Sequence, residues 1–506
     1  MNFLGVSFAD FIDKKSASRL FPKKMDLESV DLTGYDSGIG ELPPPSVWKN
    51  LGLKTLFFIC IAVLISRIAT MQLIKGTYYQ GLSDDNRIVR RPLHSVRGVI
   101  TDRNNKVLVR NEPYFTIEGS NTLLSQTEYR KYESTASARQ KEKINIKAVR
   151  NYLNGPTYSH IFGYISPITS EEMVKIKQLT AQTKIKYNGY DLVGRSGLEE
   201  QYEAQLKGID GNELVEISSS GKVLKILGVI PQVPGNTVQT SLDASLQQFS
   251  YDAVSTMAQK TNAKSGVAIV QDTKTGAILT LVSYPSFDNN SFTNPQQSNE
   301  VQSLFTNQNI PLLNRAVSGV FAPGSTYKII TALAGLESKI VTKDSTYTDT
   351  GSVTLSGITF NNWYFRQYGK VEGEVALAQA LARSNDTYFY RLAIEMGPEK
   401  LIEQSHKFRL GEKVGIDIPG EVVGLIPSPQ WKKKVIKEDW YPGNTINMSI
   451  GQGDVLTTPL QISNMTNTIA NDGKVMVPTI ASHIRNGDNK IICKRNYETD
   501  TWEGNA

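Results

Sequence analysis

The sequence predicts an α+β, multidomain protein carried on a single membrane-spanning helix. Three observations lead there. An uncharged apolar run, TLFFICIAVLIS, occupies residues 55–66. From about 86 to 240, short β-type runs such as RGVITDRNNKVLV and NTVQTSLD are broken by Gly, Asn and Asp. From about 241 onward, strands alternate with longer helices, and 506 residues suit two or three domains. The predicted organisation is a tail and linker over 1–50, a transmembrane helix over 51–74, a β-rich domain over 75–240 and an α/β-textured domain over 241–506.

The apolar run alone is short for a bilayer span. Counted on through IATMQLI to Ile74 it reaches 20 residues, enough for roughly 30 Å of hydrocarbon. Arg67 lies about two turns from that end, where its head can snorkel to the interface. Fifty residues precede the run and no A-x-A site follows it, so a retained span is expected rather than a cleaved signal. Charges flank both ends, Lys49 and Lys54 before and Lys75, Arg87, Arg90 and Arg91 after, and do not decide the orientation. The preceding GIGELPPPS reads as a linker.

Beyond the span, the polar stretch TEYRKYESTASARQKEKINIKAVRNYL looks helix-prone. DASLQQFSYDAVSTMAQK has the spacing of an amphipathic helix. GVAIVQDTKTGAILTLVS reads as a hairpin about a D-x-K-T-G turn.

Bulk composition excludes several classes. Hydrophobic residues at 40% and charged residues at 21% describe a globular chain, not a disordered one. A net charge of +6 is too small and too dispersed for nucleic-acid binding. Cys60 and Cys493 form no framework, and His94, His160, His406 and His483 show no metal-ligand spacing, so neither a metal nor a cofactor is expected.

The chemistry concentrates in NRAVSGVFAPGSTYKIITALAGLESK. Pro323-Gly324 breaks the preceding run, and Ile329, Ile330, Leu333 and Leu336 then take helical spacing, so a helix begins near Ser325. Lys328, three residues on, shares a face of the first turn with Ser325. A serine is a nucleophile only when a base takes its proton, and a lysine is that base when burial lowers its pKa. S-x-x-K also occurs at Ser46–Lys49 and Ser219–Lys222, but only Ser325–Lys328 opens an apolar helix. In ALAQALARSNDTYFYRLAIEMG, Ser384 and Asp386 sit two apart between helices, where a hydroxyl and a carboxylate can face one cleft; a helix N-cap explains the same pattern.

Together these segments resemble the class B penicillin-binding proteins, and among them the elongation-type penicillin-binding protein 2 family, over roughly residues 50–485. The resemblance is carried by NRIVRRPLHSVRGVITDRNNKVLVRN, with Asn86, Arg97-Gly98 and Asp102-Arg103-Asn104, by HIFGYIS and GRSGLEEQYEAQLKGIDG, by NRAVSGVFAPGSTYK and SNDTYFY, and by VGIDIPGEVVGLIPSPQWK with WYPGNTINMSIGQGDVLTTPLQIS. It implies a β-rich pedestal of the dimerisation type, then a penicillin-binding/β-lactamase-like transpeptidase domain, an antiparallel sheet flanked by helices. It implies a bacterial single-pass protein of the cytoplasmic membrane, N-terminus inside and catalytic domain outside. It implies a peptidoglycan D,D-transpeptidase acting in cell elongation on stem peptides and lipid-linked precursor, with β-lactams as covalent inhibitors. Ser325 would be the nucleophile, Lys328 the base, and Ser384 and Asp386 the rest of the network, with Trp363 and Asn385 on the substrate. A SEDS-type glycosyltransferase and rod-shape scaffold proteins would be partners.

The sequence departs from the family in two places. The family's late K-[ST]-G strand would follow Ala506, so the chain is read as C-terminally truncated, without its last strands. Lys274-Thr275-Gly276 lies before Ser325, in a turn, and is expected to be structural. The stretch between Pro113 and His160 is short for the family's membrane-distal head. A non-catalytic scaffold or activator of the glycosyltransferase is the alternative function. A class A β-lactamase is disfavoured, because no E-x-x-L-N loop is found.

Overall fold

The computed structural model describes residues 47–76, 78, 88–117, 122–135, 144–173, 187–189, 191–218 and 223–504. The tail and most of the linker, together with Asn86 and the Ser219–Lys222 pair, lie outside the described residues. The chain divides into two units, Met1–Asn86 and Arg87–Ala506.

In the first unit, α1 (Val47–Ala69) runs into a wider turn at Thr70–Ile74. Residues Lys54–Ile74 are long and apolar enough to cross a membrane. Thr55 and Thr70 hydroxyls donate to the carbonyls of Leu51 and Ser66 at 2.8 and 2.7 Å, so these polar groups are satisfied within the helix.

In the second unit, β1 (Ile88–Leu93), β8 (Gly211–Ile217) and β9 (Val223–Ile230) form one antiparallel sheet. β2 (Ile100–Thr101), β3 (Val107–Ile117), β4 (Leu123–Leu124), β5 (Ile144–Tyr152) and β10 (Thr237–Thr240) belong to a larger one. That larger sheet continues from β10 into β17 (Ala481–Arg485), β18 (Ile491–Asn496) and β19 (Thr501–Gly504). β17 is therefore hydrogen bonded to β10, a strand that precedes residue 241. A hairpin pairs β6 (Ile165–Pro167) with β7 (Leu192–Gly194).

The long polar stretch expected to be helix-prone divides. Among its described residues, Gln126–Thr135 is helical (α2), and Ile144–Tyr152 is β5, paired with β3 from Val109↔Tyr152 to Ile117↔Ile144. The strand period explains the outcome, because it turns Arg150 and Tyr152 to one face, where both are buried. Tyr152 enters a core with Ile100, Val109, Phe162 and Val238, while Arg150 meets a buried glutamate.

That glutamate, Glu199, lies on α4 (Gly197–Gln201), after α3 (Gly155–Phe162). Its carboxylate accepts from Arg97 Nε at 2.5 Å and Arg150 Nε at 2.7 Å, and Arg97 Nη2 also donates to Glu203 at 2.6 Å. Gly98 follows Arg97 because a Cβ there would lie 1.9 Å from the Asn236 carbonyl oxygen. Nearby, His94, Asp191 and Asp210 bring ligand-type atoms within 4.8 Å of one another, and the Lys207 ammonium pairs with Asp191.

α5 (Ala244–Lys260) is capped by Asp243, whose carboxylate accepts from the Ser245 and Leu246 N–H groups. It packs on the hairpin of β11 (Gly266–Gln271) and β12 (Ile278–Tyr284). The Lys274-Thr275-Gly276 turn of this hairpin folds onto Asp272, which accepts from the Lys274 and Thr275 N–H groups. A second core surrounds α6 (Lys328–Glu337), with Tyr327, Ile330, Tyr388, Phe389, Leu392, Ile446 and Met465. Around it lie β13 (Thr346–Asp349), β14 (Ser352–Leu355), β15 (Ile358–Asn361), α7 (Trp363–Tyr368), β16 (Gly373–Ala376), α8 (Leu377–Arg383), α9 (Asp386–Met396), α10 (Pro442–Ser449) and α11 (Pro459–Ala470).

Buried His160 carries a pH signature. Its Nε2 lies 2.8 Å from the Pro311 carbonyl oxygen, and burial pulls its pKa from 6.5 down to about 4. The folded chain thus favours the neutral ring. Its contribution is complete above pH 6.5 and is lost as pH falls toward 4, by about 3 kcal/mol. Urea midpoints across that window should fall steeply for the wild type and less steeply for His160→Gln; equal slopes would exclude this residue as a source of acid sensitivity.

Candidate active site

Gly324–Tyr327 forms a single 3-10 turn that leads directly into α6. Ser325 is exposed on that turn, whereas Lys328 is 1% exposed. The turn is backed by the Gly-Gln-Gly segment. Gly324 N–H donates to the Gly451 carbonyl at 2.9 Å, and a Cβ on Gly451 would come within 2.4 Å of the Gly324 oxygen. The Thr331 hydroxyl ties α6 to the end of α10 through the Ser449 carbonyl at 2.7 Å.

Ser384 ends α8 in the left-handed region, at φ 53°. A non-glycine residue held there costs of order 1–3 kcal/mol, and here the conformation is fixed from both sides. The Ser384 and Asn385 N–H groups close the end of α8 on Leu381 and Ala380, while the Asn385 side chain caps α9 through the Tyr388 N–H at 2.9 Å. The Ser384 hydroxyl is thereby placed between two groups, 2.8 Å from Ser325 Oγ and 3.0 Å from Lys328 Nζ. The ammonium donates further to the Ser384 carbonyl at 2.8 Å and to Asp386 Oδ1 at 2.5 Å. Burial lowers the Lys328 pKa, against the opposing pull of Asp386.

Among the described residues no hydrogen bond joins Lys328 to Ser325 directly. Sequence spacing alone suggests a direct contact, because the two share a helical turn. The structure instead runs the connection through Ser384. With Lys328 protonated, its three N–H bonds are spent on Asp386, the Ser384 carbonyl and Ser384 Oγ, and the Ser384 hydroxyl points to Ser325. A neutral amine has two N–H bonds. If Asp386 and the carbonyl keep these, its lone pair faces Ser384 Oγ. The wire then reverses, with Ser325 donating to Ser384 and Ser384 to Lys328.

Trp363 is 36% exposed beside this cluster; its backbone N–H donates to Asp386 Oδ2 at 2.9 Å and its indole N–H to the Arg383 carbonyl at 3.2 Å. Asn385, expected on the substrate, is fully buried, and its amide nitrogen donates to Glu372 at 2.9 Å. It holds the loop instead of facing the cleft. A groove of about 620 Å³ runs along β11 past Pro323 and Thr326. Asp349 and Asn362 also converge behind Asp386, and nothing in the sequence except the neighbouring Trp363 drew attention to them.

A serine on a helix-initiating turn, a buried lysine one turn on and a second serine joining them define a serine acyl-transfer site of the penicillin-binding type. The penicillin binding protein transpeptidase domain pattern matches residues 266–504, and the penicillin-binding protein dimerisation domain pattern matches 123–240. Peptidoglycan D,D-transpeptidase MrdA of Acinetobacter baumannii is 34% identical over 84% of this chain and 67% of its own length. The complex between PBP2 and MreC from Helicobacter pylori contains a chain similar to this one, with a TM-score of 0.66, 26% identity and 78% of each chain covered. A chain in a peptidoglycan synthase complex that coordinates polymerization and crosslinking has a TM-score of 0.66 at 26% identity, over 90% of this chain and 82% of that one. The chain belongs to the penicillin-binding protein 2 (MrdA) family of peptidoglycan D,D-transpeptidases.

Proposed function

We propose that this chain cross-links peptidoglycan stem peptides through an acyl-enzyme on Ser325. The observation that carries the reading is the position of Ser384 Oγ within hydrogen-bond reach of both Ser325 Oγ and Lys328 Nζ. Neutral Lys328 draws the Ser325 proton through Ser384 as Oγ attacks the carbonyl between the last two D-alanines of a stem peptide. The C–N bond breaks, D-alanine leaves carrying the proton, and an ester remains on Ser325. An amine of a second stem then attacks the ester, forms the cross-linking amide and returns the proton to Ser325. Asp386 holds Lys328 in place, and Trp363 lines the cleft. A β-lactam opens its ring on the same hydroxyl and stays attached.

The apolar helix Lys54–Ile74 supports a single membrane span; a bacterial inner membrane, a cytoplasmic N-terminus and an external catalytic unit are proposed from membership of the family. A rod-shape scaffold protein and a SEDS-type glycosyltransferase that polymerises lipid-linked precursor are the partners that fit this reading; it is supported by the structural neighbours, a PBP2 in complex with MreC and a chain of a peptidoglycan synthase complex. All eight residues of β9 are exposed, six of them Val, Leu or Ile, an edge strand that a partner would cover.

The test is the intact mass of the full chain in detergent after incubation with benzylpenicillin. One adduct is expected on the wild type and none on Ser325→Ala. An adduct that survives in the variant, or no adduct on folded wild-type chain, would overturn the assignment of the nucleophile or of the activity.

A further inference from the structure

Behind the reactive cluster lies a second carboxylate that the proton wire does not use. Asp349, at the end of β13, is 3% exposed and accepts four hydrogen bonds. Oδ1 takes the Gly351 N–H at 2.8 Å and the Thr387 hydroxyl at 2.7 Å. Oδ2 takes the Asn362 side-chain N–H at 3.1 Å and the Glu372 N–H at 3.0 Å. These donors come from the turn after β13, from α9, from the loop before α7 and from the approach to β16. Four segments separated in sequence are thus tied to one buried group.

Two of these ties, to Asn362 and Thr387, lead back to Asp386. Asn362 is fully buried, and its Oδ1 accepts from the Asp386 N–H at 3.2 Å. The next residue, Trp363, donates its backbone N–H to Asp386 Oδ2. Thr387 follows Asp386 directly, and its hydroxyl also lies 2.7 Å from Asn385 Oδ1, the cap of α9. One hydroxyl proton serves one acceptor at a time, so Thr387 chooses between the clasp and the cap. Burial pushes the Asp349 pKa up, but the donors outweigh it and hold the group ionised. The other charges in this layer, Glu372 and Arg383, pair with each other. Among the described residues, Asp386 is the one ionisable group paired with Lys328.

We propose that Asp349 is a positioning residue for acyl transfer: through Asn362 and Thr387 it fixes Asp386 against Lys328 and so sets where the base releases its proton. This rests on the acyl-transfer reading of Ser325. The expected consequence has a sign. Asp386 raises the proton affinity of Lys328 against the lowering by burial. A loosened Asp386 therefore leaves Lys328 with a still lower pKa, and the rising limb of acylation against pH moves to lower pH. Its plateau falls, because displacing a reacting group by about 1 Å costs of order 10²-fold.

The test measures the second-order rate constant of benzylpenicillin acylation against pH, per folded molecule, for the full chain in detergent. Asp349→Asn and Thr387→Val should acylate at least about tenfold more slowly, with the limb displaced downward, and Thr387→Ser, which keeps the hydroxyl, should stay close to wild type. A purely structural role would lower the melting temperature and leave both the rate and the limb where they are, and that result would overturn the inference. Should Asp349→Asn fail to fold, the Thr387 pair is decided by the same criterion. A wild type that forms no adduct would overturn the proposed function and this inference together; a reactive wild type beside unaltered variants would overturn the inference alone.

Discussion

Lys328→Arg is expected to slow acylation of Ser325 by about 10²–10⁴-fold, the range general-base catalysis supplies. The substitution separates two things that lysine does. Arginine keeps a positive charge opposite Asp386, so the carboxylate is not left unpaired, but a guanidinium does not give up its proton near neutral pH. The Ser384 hydroxyl then has no lone pair on its far side to accept its proton, and the wire stays in its resting direction. For the wild type, the acylation rate should rise with pH, with a midpoint below the ordinary lysine value of 10.5, because burial disfavours the ammonium. In Lys328→Arg that rise should vanish. Ser384→Ala should approach the same loss, since among the described residues this hydroxyl alone is hydrogen bonded to both Ser325 and Lys328. Stopped-flow acylation with a chromogenic β-lactam decides the matter. A Lys328→Arg chain within tenfold of wild type would show that another group takes the proton, and an unimpaired Ser384→Ala would show that Lys328 reaches Ser325 without help.

Much of this site was legible in the sequence because its chemistry is concentrated in short segments. Ser325 and Lys328 sit one turn apart after a Pro-Gly break, and Ser384 and Asp386 sit two apart between helices. The order of the groups was not legible. Whether Lys328 meets Ser325 directly or through Ser384 depends on the left-handed backbone at Ser384, and no local preference of serine announces that conformation. Asn385 reads like an exposed polar residue beside the reactive groups. Its burial follows from capping α9, which only the three-dimensional end of α8 reveals. Asp349, Asn362, Thr387 and Glu372 are common residue types spread over some forty positions, and their convergence has no period or spacing to detect. The same limit applied to the fold. The charged, polar composition of the whole stretch reads as helix-prone, but over 144–152 Ile144, Ile146, Val149 and Tyr152 favour a strand, and Arg150 and Tyr152 find buried partners on distant segments. The strands after residue 480 gave no sign that they would extend the sheet of β2 and β3.

Glu199→Gln is expected to destabilise the second unit by about 3–5 kcal/mol, the usual cost of breaking a buried ion pair from one side. Glu199 and Arg150 have no exposed side-chain surface, and Arg97 has little. The carboxylate has two guanidiniums to balance; Arg97 can turn to Glu203, but among the described residues the Arg150 guanidinium bonds only to Glu199 and the Gly98 carbonyl. Neutralising Glu199 therefore leaves the Arg150 charge uncompensated in the core that joins β3 and β5 to α4. Arg150 Nη2 already lacks a partner, so this network has no reserve of hydrogen bonds. The double variant Glu199→Gln, Arg150→Met should recover most of the loss, because the glutamine oxygen can still accept from Arg97 Nε and the stranded charge is gone. Urea unfolding of the single and double variants measures both quantities. An additive double variant would mean that the pair is not coupled and that Arg150 is stabilised by its carbonyl contact instead. Among the described residues Glu199 pairs with Arg97 and Arg150 and not with the Ser325 cluster, so the fraction of Glu199→Gln that remains folded should acylate at the wild-type rate. Loss of stability with retained reactivity separates the frame that carries the site from the groups that perform the chemistry.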